Sequence, residues 1–269
     1  MKCSVACAQL DCKTLDTDAN LAAAETSVQE AAGRGARLVL LPEYAANGLL
    51  FDRRIVEQAK PLDGDLTQRF RNWSQRYGCW IGAGIAEKAG DRFHNTLVLI
   101  SPTGETWHYR KRYLAFFENL TFTRGLAAGI VSTDLGRIGL MICWDMVHSR
   151  LVREMRGNVD LLLIASAWPD LTTGNIPLPG IQSWLSKPPR VQPAKLARQL
   201  GVPVMYCNMG GRFTTLIPGL GLTYESALAG RSAIHDTRGD AVQVADHADS
   251  CLLIGDVEIS QTFALQTAA

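Results

Sequence analysis

Several apolar runs in this chain stop abruptly at a reactive side chain, and together they limit the folds open to it. Leu38-Val39-Leu40-Leu41 ends at Pro42-Glu43. Asn95 to Ile100 and Glu105 to Tyr109 flank the turn Pro102-Thr103-Gly104 and lead into Arg110-Lys111. Ile138-Gly139-Leu140-Met141-Ile142 ends at Cys143, and Trp144-Asp145 follow at once. Short apolar runs without polar alternation read as strands covered on both faces. A carboxylate, an amine and a thiol, each at a strand end, are the parts needed for nucleophilic attack on a carbon–nitrogen bond. Lys111 follows Glu43 by 68 residues (111 − 43), and Cys143 follows Lys111 by 32 (143 − 111).

The chemistry depends on the setting. A thiol at neutral pH is mostly protonated, and the thiolate is the nucleophile. Glu43 is placed to take the proton, and Lys111 to stabilise first the thiolate and then an oxyanion. Taken singly, each residue has an ordinary reading. Cys143 reads as a buried structural thiol, Glu43 as a solvated strand end, and Lys111 as one of the basic run Tyr109-Arg110-Lys111-Arg112. Only their joint occurrence weakens those readings.

The rest of the sequence alternates strand and helix patterns. Cys3 to Leu10 reads as a buried strand. Asn20 to Ala32 carries Leu21, Ala24, Val28 and Ala31 at helical spacing and stops at Gly33. A helix from Leu66 to Tyr77 is expected behind Asp65 as its N-cap. Strands are expected at Cys79–Ala86, Ile130–Asp134, Leu161–Ile164 and Val202–Cys207, and a helix at Ser149–Arg156. Pro193 is expected to open a helix that stops at Gly201. Ser232–Ile234, Ala241–Val244 and Leu252–Val257 read as a C-terminal meander. Trp168 to Pro193 holds six of the eleven prolines, which predicts a long irregular excursion of the kind that lines sites. No domain boundary is visible, so residues 1–269 read as one two-sheet α/β domain.

Composition excludes some partners. A net charge of +1 gives no electrostatic reason for nucleic acid or an anionic membrane. The N-terminal run beginning Met1-Lys2-Cys3 is too short for a signal peptide or a spanning helix, so a cytoplasmic protein is expected. The seven cysteines are scattered, with no CxxC and no zinc-ligand spacing. Reduced thiols and no metal are expected.

These segments resemble the nitrilase superfamily of carbon–nitrogen hydrolases across nearly the whole chain. Leu40-Leu41-Pro42-Glu43 resembles its glutamate segment, Tyr109-Arg110-Lys111-Arg112-Tyr113-Leu114 its lysine segment, and Gly139-Leu140-Met141-Ile142-Cys143-Trp144-Asp145 its nucleophile segment. Flanking pieces fit as well, among them His94-Asn95-Thr96, Ala165-Ser166-Ala167-Trp168-Pro169 and Asn208-Met209-Gly210-Gly211. The resemblance implies a four-layer αββα sandwich, dimerised through a helical face. It implies a Glu43–Lys111–Cys143 triad, with Glu118 positioning substrate and the Trp144 backbone N–H joining Lys111 as oxyanion hole. It implies a Cys thioester formed from a small-molecule amide or N-carbamoyl compound and hydrolysed by water, with no cofactor.

The chain departs from the family pattern at Met146-Val147-His148-Ser149 and at Lys195 to Gly201, away from the triad positions. A nitrilase acting on nitriles is the nearest alternative, and a catalytically silent ligand-binding member a further one. From another class, Cys143 with His148 could form a protease dyad, but a residue five positions on has no special reason to face the thiol. Tyr44, Phe117, Trp168 and Trp184 are the expected pocket residues, because they lie beside triad segments or in the long excursion. His94, His108 and His235 read as structural.

Overall fold

The structure is a computed structural model that describes residues 1–177, 180 and 185–260. The chain runs through β1 (Lys2–Gln9), α1 (Thr17–Gly33), β2 (Leu38–Leu40), α2 (Arg54–Glu57), α3 (Asp65–Tyr77), β3 (Trp80–Ala89), β4 (Arg92–Ile100) and β5 (Thr106–Arg110). It continues through β6 (Ile130–Thr133), β7 (Gly136–Ile142), α4 (Ser149–Met155), β8 (Leu161–Ser166), β9 (Pro169–Asp170), α5 (Pro188–Leu200) and β10 (Val204–Asn208). It closes with β11 (Arg212–Leu216), β12 (Thr223–Leu228), β13 (Ala233–His235), β14 (Ala241–Val244) and β15 (Cys251–Glu258).

Two six-stranded sheets form, in the orders β15-β1-β2-β3-β4-β5 and β14-β13-β10-β8-β7-β6. The central strands β1, β2 and β3 of the first sheet are parallel, as are β7, β8 and β10 of the second. The sheets face each other, β1 against β10, β3 against β8 and β4 against β7. Helices α1 and α3 cover the outer face of the first sheet, and α5 that of the second, with α4 packed against α5. This is the expected αββα sandwich. Every residue of β8 is buried, which explains a run with no polar alternation.

Helix α1 carries the buried stripe that its sequence predicts. In α1, Leu21, Ala24, Val28 and Ala31 form the buried stripe, and the Asp16 carboxylate accepts the Ala19 N–H. Among the described residues no helix is long and apolar enough to cross a membrane.

Four expectations need correction. Gly64, not Asp65, caps α3, and Asp65 is its first residue, where its charge suits the helix N-terminus. Helix α5 begins at Pro188 rather than at Pro193. Pro188 and Pro189 sit in the first turn, where a missing N–H is harmless, and Pro193 lies inside the helix without breaking it. The excursion is therefore helical from 188 onward. The C-terminal strands do not form one meander. β13 pairs with β14, but β15 crosses to the other sheet and pairs with all of β1, from Lys2↔Glu258 to Gln9↔Cys251. The Gln9 amide donates to the His247 and Asp249 carbonyls and anchors that crossover. Finally, β9, β12 and β11 build a small third sheet that the sequence reading missed. Its Thr215 is buried and shares its hydroxyl with Asp52, so the apolar alternation that signals a strand is interrupted.

Candidate active site

Three strand ends meet at one point between the sheets. Glu43 lies three residues past β2, on a segment held against β3 by Leu41 N–H to Gly82 O, Gly84 N–H to Pro42 O and Ala45 N–H to Gly84 O. A Cβ on Gly84 would stand 2.4 Å from the Glu43 Cα, so only glycine permits this approach. Lys111 directly follows β5, with its N–H bonded to Asn95 O. Cys143 follows β7 and opens a 3₁₀ turn, Cys143–Val147, with φ at +47°. That left-handed conformation costs a non-glycine residue about 1–3 kcal/mol and persists only where the surroundings hold it. Asp145 does the holding. Its Oδ2 accepts the Ile142 N–H at 3.1 Å and the Tyr109 hydroxyl at 2.9 Å, and its Oδ1 accepts the Tyr113 N–H at 3.0 Å. One buried carboxylate thus ties the cysteine turn to the lysine segment. Burial pushes its pKa up to about 6, against the pull of Lys111 and these donors.

The Lys111 ammonium sits between two carboxylates. Its Nζ lies 2.8 Å from Glu43 Oε1 and 2.8 Å from Glu118 Oε2. The Asn95 amide nitrogen donates to both acids, at 2.6 Å to Glu43 Oε1 and 2.7 Å to Glu118 Oε1. Glu43 Oε2 accepts the Ala167 N–H at 2.7 Å. Glu118 also accepts the Tyr44 hydroxyl and the Ala115 N–H, each at 2.7 Å. Burial alone would pull the Lys111 pKa down, but Glu118, Glu43 and Cys143 outweigh it and hold the amine firmly charged. Cys143 is 7% exposed. Burial, then the Glu43 charge, push its thiol well above the usual range, only partly countered by Lys111 and a hydrogen bond to Ser166. The thiol is therefore protonated at neutral pH, and a base must take its proton before it attacks.

Glu43, Lys111, Glu118 and Cys143 line the buried end of a cavity of about 440 Å³. Its walls are aromatic and aliphatic. The Trp144 and Trp168 rings lie 5.3 Å apart, and Phe51 and Phe117 5.6 Å apart. The Trp168 indole N–H donates to Leu185 O at 2.8 Å. Of the expected pocket residues, Tyr44, Phe117 and Trp168 line this cavity, and Trp184 lies outside the described residues. Trp144 follows Cys143 in the 3₁₀ turn.

The sequence reading quoted Asn95 and Asp145 within motifs but gave neither a role in the site, and it did not name the Ala167 N–H. For Asn95 a signal existed, since an amide at the head of an apolar strand must find partners. His148 does not partner the thiol. Its ring stacks on Tyr113 at 3.8 Å, and no hydrogen bond joins it to Cys143 among the described residues. His94 bonds the Thr123 carbonyl and His235 is buried in β13, away from the cavity. Among the described residues, no group of three or more His, Cys, Asp or Glu side chains could hold a metal ion.

The chain is similar to several known proteins. A nitrilase of Pyrococcus abyssi is 36% identical over 156 residues, covering 56% of this chain and 59% of that protein. A chloroplastic omega-amidase of Arabidopsis thaliana is 34% identical over 177 residues, covering 60% of this chain and 48% of its own. The chain thus aligns with only about half the length of these relatives. Among solved structures, a carbon–nitrogen hydrolase superfamily protein of Xanthomonas campestris superposes with a TM-score of 0.78 at 21% identity, over 97% of this chain and 91% of its own. An amidase of Nesterenkonia sp. does so with a TM-score of 0.77 at 20% identity, over 94% and 89%. These two likenesses are of fold. The sequence model of carbon–nitrogen hydrolases matches residues 4–265, and the chain belongs to the carbon–nitrogen hydrolase family.

Proposed function

We propose that this protein hydrolyses the amide of a small carboxylic acid through a thioester on Cys143. The observation that carries the reading is the Lys111 ammonium, held 2.8 Å from both Glu43 and Glu118 on the wall that it shares with the Cys143 thiol. Glu43 takes the thiol proton as the sulfur attacks the carbonyl carbon, and the carbonyl π electrons move onto oxygen. Lys111 and the Trp144 N–H stabilise that oxyanion. When the carbonyl re-forms, the carbon–nitrogen bond breaks, the nitrogen takes the proton from Glu43, and ammonia leaves. Glu43 then removes a proton from water, whose oxygen attacks the thioester. The acid departs and the proton returns to sulfur. Positioned proton transfer of this kind contributes about 10²–10⁴-fold in rate, and an oxyanion donor about 10²–10³-fold. Glu118 orients Lys111 and the amide nitrogen.

A nitrile substrate would use the same nucleophile, and the Pyrococcus abyssi relative's name favours keeping that reading beside the first. N-carbamoyl compounds are a third substrate class for the same steps. We further propose that residues 1–269 form one such domain, acting as a homodimer in the cytoplasm. The cysteines, free among the described residues, suit a reducing compartment, and sedimentation velocity measures the assembly.

The test is intact-mass spectrometry of wild type and Cys143→Ala with amides, nitriles and N-carbamoyl amino acids, with ammonia measured in the same tubes. An acyl adduct on wild type alone, with ammonia from amides, supports the reading. Ammonia release by Cys143→Ala at the wild-type rate overturns it.

A further inference from the structure

We infer that the site selects amides of uncharged, apolar acids, alkyl or aryl, and rejects substrates with a carboxylate at the far end of the acyl group. This inference rests on the amidase reading above and names its substrate class. Among the described residues lining the cavity, the charged groups are Glu43, Lys111 and Glu118 alone, and they are committed to one another at the buried end. Among the described lining residues, no lysine or arginine stands farther out to meet a second carboxylate. Leu178 to Trp184, part of which lies outside the described residues, contains no charged residue in its sequence. The two acids also outnumber the one ammonium, so the local field repels a further anion.

The apolar character extends to the mouth. Leu50, Phe51 and Ile217 line the cavity together with the triad residues. Phe116, Leu220 and Leu222 line it too, yet remain 55%, 67% and 54% exposed. Such exposed apolar groups beside a cavity lose contact with water when an acyl chain lies over them. A cavity of about 440 Å³ holds roughly fifteen heavy atoms at ~30 Å³ each. Burial of each methylene is expected to raise kcat/KM about fourfold until the cavity is filled. A distal carboxylate buried there without a partner is expected to lower it more than about a hundredfold.

The experiment measures ammonia release from straight-chain amides of two to ten carbons, benzamide and phenylacetamide, and the monoamides of dicarboxylic acids of matched length. The binding of each to Cys143→Ala is measured by calorimetry, so that affinity is read without turnover. The expected result is a rise with chain length in both readouts, and a deficit of at least a hundredfold for each carboxylate-bearing partner. Leu220→Lys, at the exposed mouth, should narrow that deficit about tenfold. Equal or better use of the dicarboxylic monoamides, or affinity for Cys143→Ala that does not change from acetamide to octanamide, overturns the inference. A rising affinity series without ammonia from wild type refutes the hydrolase reading and leaves the pocket assignment standing.

Discussion

Replacing Lys111 with methionine removes the ammonium between Glu43 and Glu118 while keeping an unbranched apolar stem one atom shorter. In the native protein its Nζ lies 2.8 Å from an oxygen of each acid and is 1% exposed. After the change, Asn95 still donates to both acids, but among the described residues no cation is paired with either one. Breaking a buried ion pair from one side destabilises by about 3–5 kcal/mol, because the remaining charge keeps its desolvation penalty. In a chain of 269 residues, at about 2 °C per kcal/mol, the melting temperature should fall by ~6–10 °C. Adding Glu118→Gln removes one of the two charges and should recover about half of the loss. Activity should fall by at least about 10³-fold in both variants. The assay is thermal denaturation followed by circular dichroism at pH 8, with ammonia release below the transition. A Lys111→Met melting temperature within 2 °C of wild type at pH 8 would refute the argument that this ammonium compensates two buried charges.

Three further outcomes follow from the same geometry. Tyr44→Phe deletes one of four donors to Glu118, and hydrogen bonds to charged groups are worth about 1.5–3 kcal/mol, so kcat/KM should fall ~10–100-fold. An unchanged value means that the hydroxyl does not position Glu118. Gly84→Ala puts a methyl 2.4 Å from the Glu43 Cα, whereas Gly82→Ala meets the end of the Leu40 side chain at 2.8 Å rather than backbone. Displacing the acid by about an ångström costs roughly a hundredfold, so Gly84→Ala should lose at least tenfold more activity than Gly82→Ala. Equal losses would dismiss the close approach. Stability should also fall in alkali. Burial raises the Cys79 thiol to about 11 and the Cys12, Cys143 and Cys207 thiols further. The folded chain therefore keeps protons that the unfolded chain releases above about pH 8.5. The unfolded state then binds fewer protons, so each thiol removes up to about 1.4 kcal/mol of stability per pH unit. A urea midpoint that stays flat from pH 8 to 10 contradicts this.

Some of the site was legible because its signals are local. Glu43, Lys111 and Cys143 each break an apolar run, and the change in polarity marks a strand end wherever the strand lies. The roles of Asn95 and Asp145 were not legible, because distant residues create them. Asn95 meets Glu43 across 52 residues, and Asp145 meets Tyr109 across 36. Trp168–Pro193 misled in the opposite direction. Its prolines suggested irregularity, yet two of them begin α5, where a helix tolerates them.

The sequence by itself determined the covered strands, the amphipathic helices and the identity of the nucleophile, acid and amine, since periodicity and residue chemistry are written along the chain. It did not assign β15 to the first sheet, because an apolar strand fits the edge of either. Nor did it set the distances among the three strand ends or the charge on each group. Those depend on how two sheets pack and on how much water they exclude. Only the tertiary structure placed one ammonium between two carboxylates, twisted Cys143 out of its strand, and walled the space beyond them with uncharged side chains.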